Sequence, residues 1–82
     1  MGESDSVEDE LKRAVRDLWS MVQDSGSNHV VFMAHDRRLA RVERFESGYR
    51  VSWEEDDGTW LSNNATYENP REAAFHAYQG PH

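Results

Sequence analysis

Leu39–Ser62 reads "LARVERFESGYRVSWEEDDGTWLS", three short runs of β-branched and aromatic residues separated by two polar clusters that each contain glycine. The runs 39–45, 49–54 and 59–62 alternate apolar and polar residues, the period of a half-buried strand. Between them, "ESG" and "EEDDG" carry the residues that a backbone reversal needs, and connections this short join antiparallel neighbours. The stretch predicts a β-meander, and the fold follows from what flanks it.

Upstream, Val30–Ala34 ("VVFMA") is apolar throughout and predicts a strand covered on both faces, with "HDRR" turning the chain into Leu39. Before it, Val7, Leu11, Ala14, Val15, Leu18 and Val22 fall on one stripe of an amphipathic helix. Ser6 is placed as its N-cap with Asp9 three residues on, and Glu8, Asp9 and Glu10 fill the first turn, where the helix dipole favours acids. "DSGSN" ends this helix, with Gly26 as the left-handed residue past its end, and residues 1–5 are expected to be disordered. Downstream, Asn69 is the N-cap of a second helix, Pro70 its first residue and Gly80 its stop, with Ala74, Phe75, Ala77 and Tyr78 on the buried side. The prediction is one α+β domain over residues 6–80 in two layers. Its order is α-β-β-β-β-α: an N-terminal helix, an antiparallel meander of three to four strands, then a C-terminal helix, both helices on one sheet face.

This order is similar to that of double-stranded RNA-binding domains, which run α-β-β-β-α. Where those carry a lysine cluster, at the start of the final helix, this chain reads "NPREAAFHAY" with Arg71 alone. The ending also resembles plant-type DNA-binding domains that close on an "EEAARAY"-like helix, here Arg71–Tyr78. Neither resemblance assigns a family.

Composition narrows the chemistry. The 82 residues contain no cysteine, which removes disulfides, thiolate metal sites and cysteine nucleophiles. The five glycines stand singly at separate positions, so there is no phosphate loop, and no Gly-x-Ser-x-Gly elbow occurs. His29, His35, His76 and His82 include no helical i, i+4 pair, and the acids Glu54–Asp57 lack calcium-loop spacing. No catalysis, metal or cofactor is expected. With 16 acidic against 9 basic residues, the formal net charge is −7, which disfavours nucleic acid and anionic membrane. Eight of the basic residues are arginine, and Lys12 alone is lysine; this usage looks like that of salt-adapted proteins. The acidic N-terminus "MGESDSVEDE" resembles no signal or transit peptide, and a cytoplasmic location is the expectation.

Candidate binding residues come from the pairing of the meander. If Ser47-Gly48 is a two-residue loop, Phe45 meets Arg50, Val42 meets Trp53 and Arg41 meets Glu54. Ala40, Val42, Trp53 and Leu61 then face the helices, while Arg41, Glu43, Phe45, Arg50, Ser52 and Glu54 face outward. A three-residue "DDG" loop sets Trp53 opposite Leu61 and turns Trp60 outward; a four-residue loop would turn it inward. Arg37 and Arg38 in the preceding turn are the least compensated charges. The candidate site is therefore Arg37, Arg38, Arg41, Phe45, Arg50 and Trp60, arginines and aromatics being the types enriched at interface hot spots. The expected role is binding a protein partner or self-association, as an accessory factor or homodimer. The alternatives are a nucleic-acid module using Arg37, Arg38, Arg41, Arg44 and Arg50, and an acidic mimic using Glu54–Asp57 and the N-terminal acids.

Overall fold

The computed structural model describes residues 7–80. Its elements are α1 (Val7–Arg16), β1 (Val22–Gly26), β2 (His29–Met33), β3 (Leu39–Phe45), β4 (Gly48–Glu54), β5 (Trp60–Tyr67) and α2 (Pro70–Gln79). The strands form one antiparallel sheet in chain order, β1-β2-β3-β4-β5. Alternate residues of the inner strands bury Val30, Phe32, Ala40, Val42, Tyr49, Val51 and Trp53 against Leu11 and Val15 of α1 and Ala73 and Ala77 of α2. Both helices thus lie on one face, and among the described residues no element covers the other, the α+β order expected, with a fifth strand added.

The fifth strand comes from the segment assigned to the end of the first helix. α1 stops at Arg16, and the chain reverses through a Schellman turn: Trp19 N–H donates to Arg16 O at 2.9 Å and Ser20 N–H to Val15 O at 3.4 Å. The left-handed residue there is Trp19, at φ 61°, and Gly26 sits inside β1. Val22 misleads because it meets the core either way, as a helix position or as the strand partner of Phe32. The bulge at Gln23 then removes the alternation that would have marked "VQDSG" as a strand. The proposed N-cap Ser6 and the expected disorder of residues 1–5 lie outside the described residues.

In the β3–β4 hairpin the loop is Glu46-Ser47, since Phe45 pairs with Gly48. The register is therefore two residues away from the expected one, which keeps every side chain on its predicted face. Glu43 meets Arg50 and Arg41 meets Ser52, in place of the expected Phe45–Arg50 and Arg41–Glu54 pairs. Glu46 takes the left-handed position at φ 55°, and Gly48 is needed for a different reason. A Cβ there would fall inside contact distance of the Thr66 methyl group and 2.9 Å from the Tyr67 carbonyl oxygen of β5. Gly48→Ala is accordingly expected to cost about 1–3 kcal/mol, the usual cost of overpacking, read as a lower denaturant midpoint at unchanged m-value.

The β4–β5 hairpin takes the three-residue "DDG" alternative: Gly58 is left-handed at φ 88°, Trp53 pairs with Leu61, and Glu54 with Trp60, which faces outward. Leu61, expected under the helices, is 56% exposed on this edge strand. β5 also runs five residues past Ser62, through a bulge at Asn63–Ala65 where three residues oppose Val51 alone. In α2, Asn69 Oδ1 accepts from Glu72 N–H at 2.8 Å as predicted. Ala73 takes the buried position expected of Phe75, whose ring lies against His76 near the surface. Among the described residues no helix is long and apolar enough to cross a membrane.

Candidate functional site

The six candidate residues do not form one surface. Arg41, Phe45, Arg50 and Trp60 share the outer sheet face, and their side chains are engaged with one another. The Arg41 guanidinium lies 4.8 Å from the Trp60 ring centroid and that of Arg50 lies 4.0 Å from the Phe45 ring. Arg41 also reaches Glu43 at 3.6 Å. Beside the rings, both guanidiniums have an Nε that is shielded from water without a hydrogen-bond partner. Trp60 is half-buried, while Phe45 keeps 37% of its surface exposed beside Arg50.

Arg37 and Arg38 lie in the β2–β3 turn, at one end of the sheet. Arg38, expected to be uncompensated, donates from Nη1 to Glu55 at 3.0 Å and lies 3.8 Å from Asp36. Arg37 is exposed with a left-handed backbone, φ 69°, and no ion pair among the described residues. The hollow beside them is lined by Asp36, Glu54, Glu55 and Asp56 as well as the two arginines, a poor setting for a phosphate. Arg44 belongs to the opposite sheet face, where its Nη1 donates to the Tyr49 hydroxyl at 3.2 Å, and that hydroxyl donates to Glu10 of α1 at 3.1 Å. The arginines are thus distributed over two faces and one turn. Of the acids in the mimic reading, Glu55 is tied to Arg38, and Asp57 is held below the usual carboxylate range by the Thr59 hydroxyl and amide. No three His, Asp or Glu side chains converge as metal ligands among the described residues.

What the sequence reading missed is the corner between α1 and β1. Trp19 is 96% exposed and Met21 76% exposed, and Ser20 between them donates from Oγ to the carbonyl of Met33, itself partly exposed at the end of β2. A large exposed apolar residue is unremarkable alone, but a tryptophan and a methionine exposed together beside one groove make a patch. The backbone sharpens the point. Left-handed φ costs a residue with a Cβ roughly 1–2 kcal/mol, and glycine is the usual occupant of this helix-ending position. Next to the patch runs an open groove of about 850 Å³ between α1 and the edge strand. Its walls are Lys12 and Arg16 on the helix, and Met21, Val22 and Asp24 along the strand, with Trp19 at one end. At the other end Ser25 Oγ donates to Glu8 at 2.7 Å, and Lys12 pairs with the same carboxylate at 3.3 Å. These contacts, Ser25 first and then Lys12, hold the Glu8 carboxyl below its ordinary pKa. The corner was hidden because Trp19 and Met21 were assigned to a helix that does not extend to them.

Compared with known protein families, curated proteins and solved structures, the chain has no match.

Proposed function

We propose that this chain is a non-enzymatic protein-binding module whose contact surface centres on the α1–β1 corner. The observation that carries this reading is Trp19: an indole almost wholly in water, on a left-handed backbone, beside an exposed Met21. Tryptophan is among the side chains that contribute most when an interface covers them, and methionine adapts to the shape of a partner. Backbone strain of this kind persists where the local conformation serves a purpose. The outer sheet face, which the sequence put first, supports the reading less, because its aromatics already have Arg41 and Arg50 as partners and neither is nearly as exposed as Trp19. A nucleic-acid surface is supported less again, by the net charge of −7 and the dispersed arginines.

The test places a photo-reactive phenylalanine analogue at position 19 in the cells that make the protein, and in parallel at Ser47 in the exposed β3–β4 turn. A discrete protein adduct at 19 and none at 47 is expected. No adduct at 19, or the same adducts from both positions, overturns the reading.

A further inference from the structure

We infer that the occupant of this corner is a second copy of the chain, docked edge to edge through β1 about a two-fold axis. This rests on the protein-binding reading above and names its partner. β1 and β5 are the two edges of the sheet. β5 is broken in mid-strand by its three-residue bulge, with Asn64 at φ 63°, a conformation that spoils an edge for pairing. β1 is irregular only at Gln23, leaving Asp24–Gly26 in regular pairing with β2. Because Gly26 and His29 flank the two-residue loop of that hairpin, the backbone groups of Ser25 point away from β2, toward the open edge. In the single chain the Ser25 amide is held by Asp24 Oδ1 at 2.9 Å, a bond that pairing exchanges for one to the second copy.

The side chains select the partner. The stripe of α1 nearest β1 runs Glu8, Lys12, Arg16 and then Trp19 beyond the helix end, acidic at one end and basic and aromatic at the other. α1 and β1 run in opposite directions, with Glu8 level with Ser25 and Trp19 at the start of the strand. A two-fold rotation centred near Asp24, the middle of β1, would pair the strand with its copy antiparallel and bring each Arg16 and Trp19 toward the end of the other copy that carries Glu8 and Ser25. Arg16 has no ion pair within the described residues, and it would gain a carboxylate. The indole of Trp19 would come against Ser25 and Gly26, the small residues of the strand. An isologous contact requires this self-complementarity, and a charge-polarised stripe beside an open edge supplies it.

Because the chain has no cysteine, single cysteines report the geometry directly. Gln23→Cys and Asp24→Cys are expected to oxidise to disulfide-linked dimers, and Asn64→Cys on the other edge to remain monomeric. Sedimentation of the unmodified full chain should show a mass rising from 9.5 kDa to twice that value between micromolar and millimolar concentration. Arg16→Glu should weaken this association by about tenfold or more while leaving the circular dichroism unchanged. A 9.5 kDa species throughout, equal cross-linking at both edges, or an Arg16→Glu variant that associates like the parent overturns the inference. If photo-adducts at position 19 contain only another protein, the protein-binding reading stands and the second copy is ruled out.

Discussion

Trp53→Ala is expected to remove about 3–5 kcal/mol of stability, the largest loss from any single truncation in this core. The indole is buried on the inner face of β4, paired with Ala40 across one strand boundary and Leu61 across the other. Its Nε1 donates to the Ala77 carbonyl of α2 at 2.8 Å, so one side chain both fills the core and fixes the second helix on the sheet. Truncating a buried tryptophan costs about 3–5 kcal/mol. A chain of this length has a total stability of about 4–12 kcal/mol at 0.05–0.15 kcal/mol per residue. The loss is therefore comparable with the low end of the whole. Trp53→Phe separates the two contributions, since it keeps an aromatic ring and removes the donor; a cost of about 1–3 kcal/mol is expected from the unmade hydrogen bond and the lost volume. Urea titration with helix and near-ultraviolet signals followed together checks both. If the alanine variant unfolds within about 1 kcal/mol of the parent, Trp53 does not hold the two layers together.

How much of this was legible in the sequence depended on whether two signals agreed at each residue. In α2 the cap, the proline and the terminal glycine all point the same way, and Asn69, Pro70 and Gly80 take the roles assigned to them. The three strands β3, β4 and β5 were marked by alternation together with turn residues. Alternation also fixed their faces, and a two-residue register shift at Glu46-Ser47 moved partners without moving faces. The loop itself was misplaced because glycine has two uses. Gly48 looked like a turn residue, whereas it is required in the strand for lack of a Cβ beneath Thr66.

β1 was illegible for the converse reason. Its one apolar contact, Val22, fits the helical stripe and the strand equally well, and the remaining "QDSG" carries no apolar period. A glycine would have marked the end of α1, and a tryptophan stands there instead. The same substitution of expected residue types concealed the candidate site. Charge patterning drew attention to the arginines of β3 and β4, whose ionic and ring contacts are internal. The exposed apolar corner could have been found only by asking why Trp19 and Met21 follow a helix whose stripe ends early.

Trp19→Gly is expected to make the monomer more stable and to abolish the association through this corner. Glycine adopts φ 61° without the Cβ clash that tryptophan suffers, and the indole has almost no contacts to lose, being 96% exposed. After the greater backbone entropy of glycine in the unfolded chain is subtracted, a gain of about 1 kcal/mol remains. For a domain of this size that corresponds to a rise of about 4–8 °C in Tm, measured at a concentration where the parent is monomeric. Trp19→Ala serves as the control, because it keeps the strained backbone and removes the ring; it should match the parent in stability and fail to associate. The pair of variants distinguishes two accounts of the corner. If the tryptophan were an accident of the helix end, glycine would improve stability and association would be untouched in both variants. If the indole is the anchor, both variants lose association and only glycine gains stability. That outcome would mean the folded chain carries a conformational cost at Trp19 that is offset only when the corner is covered, which is why a residue so poorly suited to its backbone position can stand there.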